Sequence, residues 1–549
     1  MIEYSESSNA QSTSKSQVDM STICKPVEGL SKTALAITVC SLGLTVFSYA
    51  LDGTIIVAAI PGIAAELNSP EDVGWYGASS FLTTLAFQLL FGKAYSLLDV
   101  KTMFAASIIL FAGGSTICGA ATRSLVLIIG RAVTGVGGAG LVAGTFVILA
   151  DVVPLRSRSV YIGAIGAVMS IAMILGPMIG SVLTERKSWR WCFYISLPFC
   201  AVVQALVVFF LPRNIGNTCK KVQNVGWFAT LRKFDPLGTT ILIFSMTSLV
   251  LSLQWGGSEG WTQAKTIGTL VAFAVSFTGW MALQYFEGDE ATLPWNVIKQ
   301  RTVLGAALFA FVGSVAFFLV LYWLPIWLQT IKVETVEASG IHILPLLIIM
   351  VVCSLLGGIM TRVIGYYNPC FYLGTICTAT GAALMMALRD TTSAKFLIGC
   401  QILFAAGIGI SIQQATLAVQ NVLPEAFIPA GVCSVAFSRA LAGTIAPAIG
   451  PAVTQSALTS RLRGLVTLET LADIKVAPAR QVISLVRERL GHDSDLYNEI
   501  LGHINTAYTR TFVAALIAAC LMLPCTVLIE WKSTRENKKP RVDLVEEKV

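Results

Sequence analysis

Charge is what this 549-residue chain has least of: 38 basic and 31 acidic residues make up only 13% of it, about half the share of an average soluble domain. With 55% hydrophobic residues and a mean hydropathy of +0.73, that shortage argues against a cytosolic enzyme, a disordered regulator and a nucleic-acid binder. Histidine is down to three residues, and the 13 cysteines include no CxxC pair and no Cys/His cluster. A zinc site and a disulfide scaffold are therefore not expected, and neither is any other metal or cofactor; cysteines in apolar runs pack as small hydrophobes. The first thirty residues are polar and Ser-rich, without an apolar h-region. No cleavable signal is expected, so the first hydrophobic span must itself direct insertion. A GxxxxGKS/T phosphate loop is also missing, and ATP-driven work by this chain alone is not expected.

What the chain has instead is apolar length. Fourteen runs, the first over 35–60 and the last over 511–531, are long enough to cross about 30 Å of hydrocarbon. They predict an all-α polytopic membrane protein with the lipid bilayer as its surroundings. An even number of crossings puts both tails on one side. Basic residues favour that side over the short opposite loops by 21 to 8, so both termini are expected in the cytoplasm. The long connection between the last two runs carries Arg461, Arg463, Lys475, Arg480 and Arg487 against this bias, but its length weakens its vote. Its pattern at Val482, Leu485 and Leu490 fits either an interfacial amphipathic helix or an ordinary solvated one.

A repeat emerges once the runs are counted. Gly135-Val136-Gly137 in run four is followed by Gly176-Pro177 in run five; Gly407-Ile408-Gly409 in run twelve is followed by Gly450-Pro451 in run thirteen. The pairs are eight runs apart, as two six-helix halves with two inserted helices require. Duplicated halves of this kind are a transporter architecture, with a binding site between them near the midplane. The expected organisation is a disordered cytoplasmic tail over 1–34 and a six-helix bundle over 35–212. A linker with two inserted membrane helices follows over 213–302, then a second six-helix bundle over 303–531 with an extracellular loop at 458–509, and a cytoplasmic tail over 532–549.

Gly135 to Gly140 satisfy GxGxxG, but inside an apolar run they read as a small-residue seam between helices, not as a dinucleotide loop. Charge inside the bilayer is more informative, since it costs at least about 3 kcal/mol and persists only with work or a partner. Three residues qualify: Asp52, Arg131 and Arg439. Two readings of Asp52 stand side by side, a carboxylate that loads and releases a proton, and a permanent pair with Arg131 that locks two helices. Arg439 has no obvious acidic partner in its half. It reads either as a cavity wall that contacts substrate or as an arginine bonded to carbonyls or reaching the membrane surface. Thr54, Gln88, Gln413 and Gln414 are candidates to line a wet cavity, with interhelical hydrogen bonds as the alternative. Tyr322 and Trp323, beside Pro325, offer either an aromatic surface for an apolar substrate or helix packing. Trp75, Trp189, Trp191, Trp255, Trp261 and Trp531 fall at run ends, where an interfacial belt accounts for them. Gly176 and Pro177 read as a close helix contact, wedged open by leucine at 176 and much less disturbed by alanine.

Taken together, these segments resemble the major facilitator superfamily, specifically the fourteen-helix drug:proton antiporters and, within them, the fungal toxin and multidrug efflux pumps. Leu51-Asp52-Gly53-Thr54-Ile55-Ile56-Val57-Ala58-Ala59-Ile60-Pro61 is similar to the first-helix motif LDxTIVNVALP. Gly130-Arg131-Ala132-Val133-Thr134-Gly135-Val136-Gly137-Gly138-Ala139 is similar to the fourth-helix motif RxxQGxGgA, with Thr134 in place of Gln. The stretch 172–181, containing Gly176-Pro177-Met178-Ile179-Gly180, resembles the antiporter motif GxxxGPxxGG with both outer glycines changed. The loop motif GxLaDRxGRK survives only as 92–101, where Gly92, Lys93, Asp99 and Lys101 would form a reduced cytoplasmic gate.

The resemblance implies a 6+2+6 facilitator fold acting by alternating access. It also implies proton coupling through Asp52 and Arg131, a helix seal built on Gly135, Gly137, Gly176, Pro177 and Gly180, and export of an amphipathic organic molecule. The expected partners are that molecule and protons, with no nucleic acid and no enzymatic reaction, in a monomer at the plasma membrane or alternatively the vacuolar membrane. Proton-coupled import or vacuolar loading of a basic amino acid or siderophore is the alternative. A non-transporting receptor is a more distant one.

Overall fold

The computed structural model describes residues 31–212, 234–258, 260–288, 291–463, 465–476, 479–490 and 494–535. The tails expected at 1–34 and 532–549 lie largely outside them, as does the linker stretch 213–233. The described chain is helical almost throughout, as a bilayer demands, because only intra-segment hydrogen bonds satisfy a backbone in hydrocarbon. In order, the first half comprises α1 (Lys32–Glu66), α2 (Val73–Leu97), α3 (Val100–Gly119), α4 (Ser124–Val152), α5 (Leu155–Arg186), the single turn α6 (Trp191–Tyr194) and α7 (Ser196–Phe210). The inserted pair is α8 (Pro236–Ser258) and α9 (Ala264–Glu287), followed by the short α10 (Trp295–Lys299). The second half comprises α11 (Arg301–Ile331), α12 (Val336–Ile364), α13 (Asn368–Met385), α14 (Ala394–Ser411) continuing into α15 (Gln414–Val422), α16 (Ile428–Leu462), α17 (Leu468–Val476), α18 (Val482–Leu490) and α19 (Ser494–Leu528).

Twelve of the described helical segments are long and apolar enough to cross a membrane. α2 and α13 are not among the twelve; α2 is rich in Ser, Thr and Gly and α13 in Thr and Gly, yet both pack within their bundles. Side chains such as Phe209 and Phe286, each about 80% exposed, form an apolar outer collar of the kind a lipid solvent covers.

The two halves repeat one packing scheme. In the first, α4 lies on α2 and α3, where a Cβ at Gly135 would strike Ser80 and Thr83 and one at Gly137 would strike Phe111. In the second, α14 lies on α12 and α13, with Gly409 against Met350 and Cys353 and Gly407 against Thr378. The fifth crossing meets the first in each half: Gly176 of α5 faces Thr54, and Gly450 of α16 faces Trp323. The repeated glycines are thus positions of close helix contact, against backbone at Gly135, Gly137, Gly407 and Gly409 and against the Trp323 ring at Gly450.

The last described residues lie at one end of the molecule, here the tail end, where Arg535 lies near Arg156 at the α4–α5 turn. There Glu530 accepts from Arg301 Nε at 2.8 Å and lies 3.2 Å from Lys532 Nζ. Burial alone would raise the Glu530 carboxyl, but these two cations hold it below its ordinary value. At the opposite, far end, Glu66 accepts from Trp189 Nε1 at 2.6 Å and Arg190 Nη2 at 3.0 Å, while Arg190 also donates to the carbonyls of Gly119 and Ala121. This clamp corrects the belt reading of Trp189, which is 3% exposed and belongs to the protein interior.

The connection over 458–509 is largely helical. α16 runs on to Leu462, α17 and α18 follow, and α19 starts at Ser494. Val482 and Val486 of α18 are buried, so its apolar stripe packs on protein.

Candidate functional site

The halves touch toward the tail end. α5 crosses α12 where Ser354 Oγ donates to Gly163 O at 2.9 Å, and a Cβ on Gly358 would strike the Ser159 carbonyl. α2 meets α16 at Gly92, where a Cβ would press on Cys433. Gln420 Nε2 donates across the seam to Phe146 O at 3.0 Å. Above this floor lies a cavity of about 220 Å³ lined by both halves. Its wall is mostly apolar (Met169, Met173, Phe317, Phe318, Met350 and Ile412 among others), with a few polar groups set into it.

On one wall, Arg131 Nη1 of α4 meets Asp52 Oδ2 of α1 at 2.5 Å. Arg131 is held in place by a second bond, Nε to the Tyr76 carbonyl of α2 at 3.0 Å. Both side chains are almost fully buried, the setting in which an ion pair survives only if its partner and orientation are fixed. The other carboxylate oxygen, Asp52 Oδ1, is buried and has no hydrogen-bond partner among the described residues. On the opposite wall, Arg439 of α16 gives Nη1 to Gln413 Oε1 at 3.2 Å. Tyr49 lies within electrostatic reach of Asp52, Arg131 and Arg439.

A bilobed helical bundle with a charged cavity on its pseudo-symmetry seam is a transporter's geometry, and residues 42–447 match the Major Facilitator Superfamily. The chain belongs to that superfamily. It is 39% identical over 510 residues, 92% of each chain, to the MFS-type efflux pump MFS1 of Arthroderma benhamiae. It is 35% identical to the efflux pump roqT of Penicillium rubens, covering 93% of this chain and 92% of that one. The Aspyridones efflux protein of Neocamarosporium betae is also 35% identical, over 95% and 91%. In fold, it is similar to the proton:xylose symporter XylE, with a TM-score of 0.59 over 91% of this chain and 97% of that one at 12% identity.

Within this facilitator, the residues singled out from sequence distribute unevenly. Asp52, Arg131, Thr54, Gln88, Gln413, Arg439 and Tyr322 all line the cavity. Gln414 and Trp323 do not: Gln414 accepts from Thr361 at 3.1 Å, and Trp323 Nε1 donates to Thr454 at 3.1 Å. Each is one residue, about 100° of helix turn, away from the neighbour that does face the cavity. Gly135, Gly137, Gly176 and Gly180 occupy close helix contacts inside the first half, and Pro177 lies within α5.

Alanine at 176 is not the mild change the sequence suggests. A Cβ there already collides with the Thr54 side chain, because α1 and α5 touch at that point.

The four residues expected at a cytoplasmic gate make separate contacts. Lys93 Nζ donates to Ala291 O at 2.9 Å, Lys101 Nζ to the carbonyls of Val208 and Leu211, and Asp99 caps α3 through Thr102. Gly92 is the point where α2 touches α16.

Sequence reasoning passed over Asp235. It is buried and accepts from Gly238 N, Gln284 Nε2 and Thr292, tying the inserted pair together. Its signal was the Asp-Pro step that starts α8.

Proposed function

We propose that this chain is an efflux transporter that expels an amphipathic toxin, secondary metabolite or drug in exchange for protons. Export is supported by the relatives, which are named efflux pumps. In this reading α2 and α13 cross the membrane with the other twelve segments, giving fourteen crossings in a 6+2+6 order. The tail end faces the cytoplasm, and the monomer works at the plasma membrane. The contacts at the tail end and the cavity above them then correspond to an outward-facing state.

Proton coupling rests on one observation: a buried carboxylate on the cavity wall with one oxygen bonded to Arg131 and the other without a partner among the described residues. A proton on Asp52 Oδ1 turns a charge-assisted contact into a weaker one. It loosens the tie between α1 and α4 and biases the molecule toward its other state. Substrate drives the cycle only through a different affinity for the two states.

The test is Asp52→Asn in reconstituted vesicles, which mimics the protonated form. Substrate binding should persist, while proton-driven accumulation should fall to the level of empty vesicles. Coupled flux at the wild-type rate would assign Asp52 to structure alone.

A further inference from the structure

We infer that Arg439 is the recognition point for an acidic substituent, so that the cargo is an amphipathic organic anion: a carboxylate, or a group of similar acidity, on an apolar body. The inference rests on the cavity being the cargo site and is independent of the direction of transport.

The charges lining the cavity do not balance. Among the described residues they are Asp52, Arg131 and Arg439. Asp52 is taken by Arg131, so the wall retains one positive charge. Arg439 spends a single N–H, on Gln413, out of the five that a guanidinium offers. Beside it the Gln413 amide nitrogen, itself a donor, has no acceptor among the described residues. Donors therefore outnumber acceptors at this spot, and a cation enclosed by protein draws in a group of opposite charge.

The surroundings specify the rest of the ligand. Gly443, four residues and one turn beyond Arg439 on α16, leaves room for the Phe318 ring, which a Cβ would meet at 3.0 Å. Phe318 in turn stacks on Tyr322, centroid to centroid at 6.1 Å. An aromatic shelf thus borders α16 one helical turn beyond the Arg439 backbone, and Met169, Met173 and Ile412 line the same cavity. An acid with an aromatic or aliphatic body satisfies both features. A cationic solute would meet an uncompensated guanidinium, which disfavours the basic amino acid considered above.

The experiment is a charge series on fixed bodies, measured as binding to the purified full-length chain in detergent. The probes are 2-naphthoate, 2-naphthamide and 2-naphthylmethylammonium, together with the matching biphenyl acid, amide and ammonium. The carboxylates should bind about tenfold or more tighter than the neutral and cationic members. Arg439→Gln should remove that preference and Arg439→Lys should restore much of it. Equal binding across charge, preference for the ammonium, no binding of either carboxylate, or a preference that survives Arg439→Gln would each overturn the inference. The wild-type series decides the matter even if Arg439→Gln fails to fold. Loss of the charge preference with export intact defeats the anion assignment alone; uptake in place of export with the preference intact defeats the export reading alone.

Discussion

Asp52 and Arg131 are partners whose separate removal has unequal meaning. Taking away Arg131 leaves a carboxylate buried without its cation, a loss of about 3–5 kcal/mol. Taking away both charges leaves neutral groups that can still hydrogen-bond. Arg131→Gln should therefore lower the thermal unfolding midpoint in detergent substantially, and adding Asp52→Asn should recover most of the loss while transport stays uncoupled. If the two losses simply add, the pair contributes no mutual stabilisation and the proton-release picture loses its physical basis.

Among the helices, the glycines of α4, α5 and α14 act by letting backbones approach, and Gly450 of α16 by admitting the Trp323 ring. The α1–α5 contact is the sharpest case, because Gly176 lies directly against Thr54, whose hydroxyl already bonds back to Ala50 O at 2.9 Å. Gly176→Ala should reduce transport several-fold, and Gly176→Leu should abolish transport or open a proton leak. Pairing Gly176→Ala with Thr54→Gly removes both Thr54 atoms in the way, the hydroxyl and the Cβ, so it should return a good part of the flux. Proton leak and flux in vesicles at matched protein levels make the comparison. A double variant no better than Gly176→Ala would mean that the space is set by something other than Thr54.

For the molecule as a whole, alternating access requires the tail-end floor to open. Cys433 is completely buried there, beneath Gly92 and within 3.9 Å of Gln88 Nε2. A small maleimide should label Cys433 slowly at rest and several-fold faster during turnover, read peptide by peptide by mass spectrometry. Labelling that ignores turnover would indicate a floor that stays shut. In the same cells, tags on both tails should be reached only after permeabilisation, while sites on α17 and α18 should be reached from outside. The reverse pattern would invert the orientation proposed here.

Some of this was written in the sequence, for a reason that acts locally. Hydrocarbon tolerates neither an unpaired backbone nor an idle charge, so apolar run lengths marked the crossings, and the rarity of intramembrane charge singled out Asp52, Arg131 and Arg439. Glycine spacing showed the repeat because close backbone contact needs a missing side chain wherever it occurs. The facing of individual side chains was decided only by tertiary structure. In a bilayer the lipid-facing and protein-facing sides of a helix are both apolar, so no periodic signal separates Gln413 from Gln414, or Tyr322 from Trp323. Bringing Arg439 onto Gln413, Trp189 onto Glu66, and α18 onto the second half likewise depended on packing between distant segments. The sequence supplied the charges, and the packing determined which of them lack a partner in the cavity.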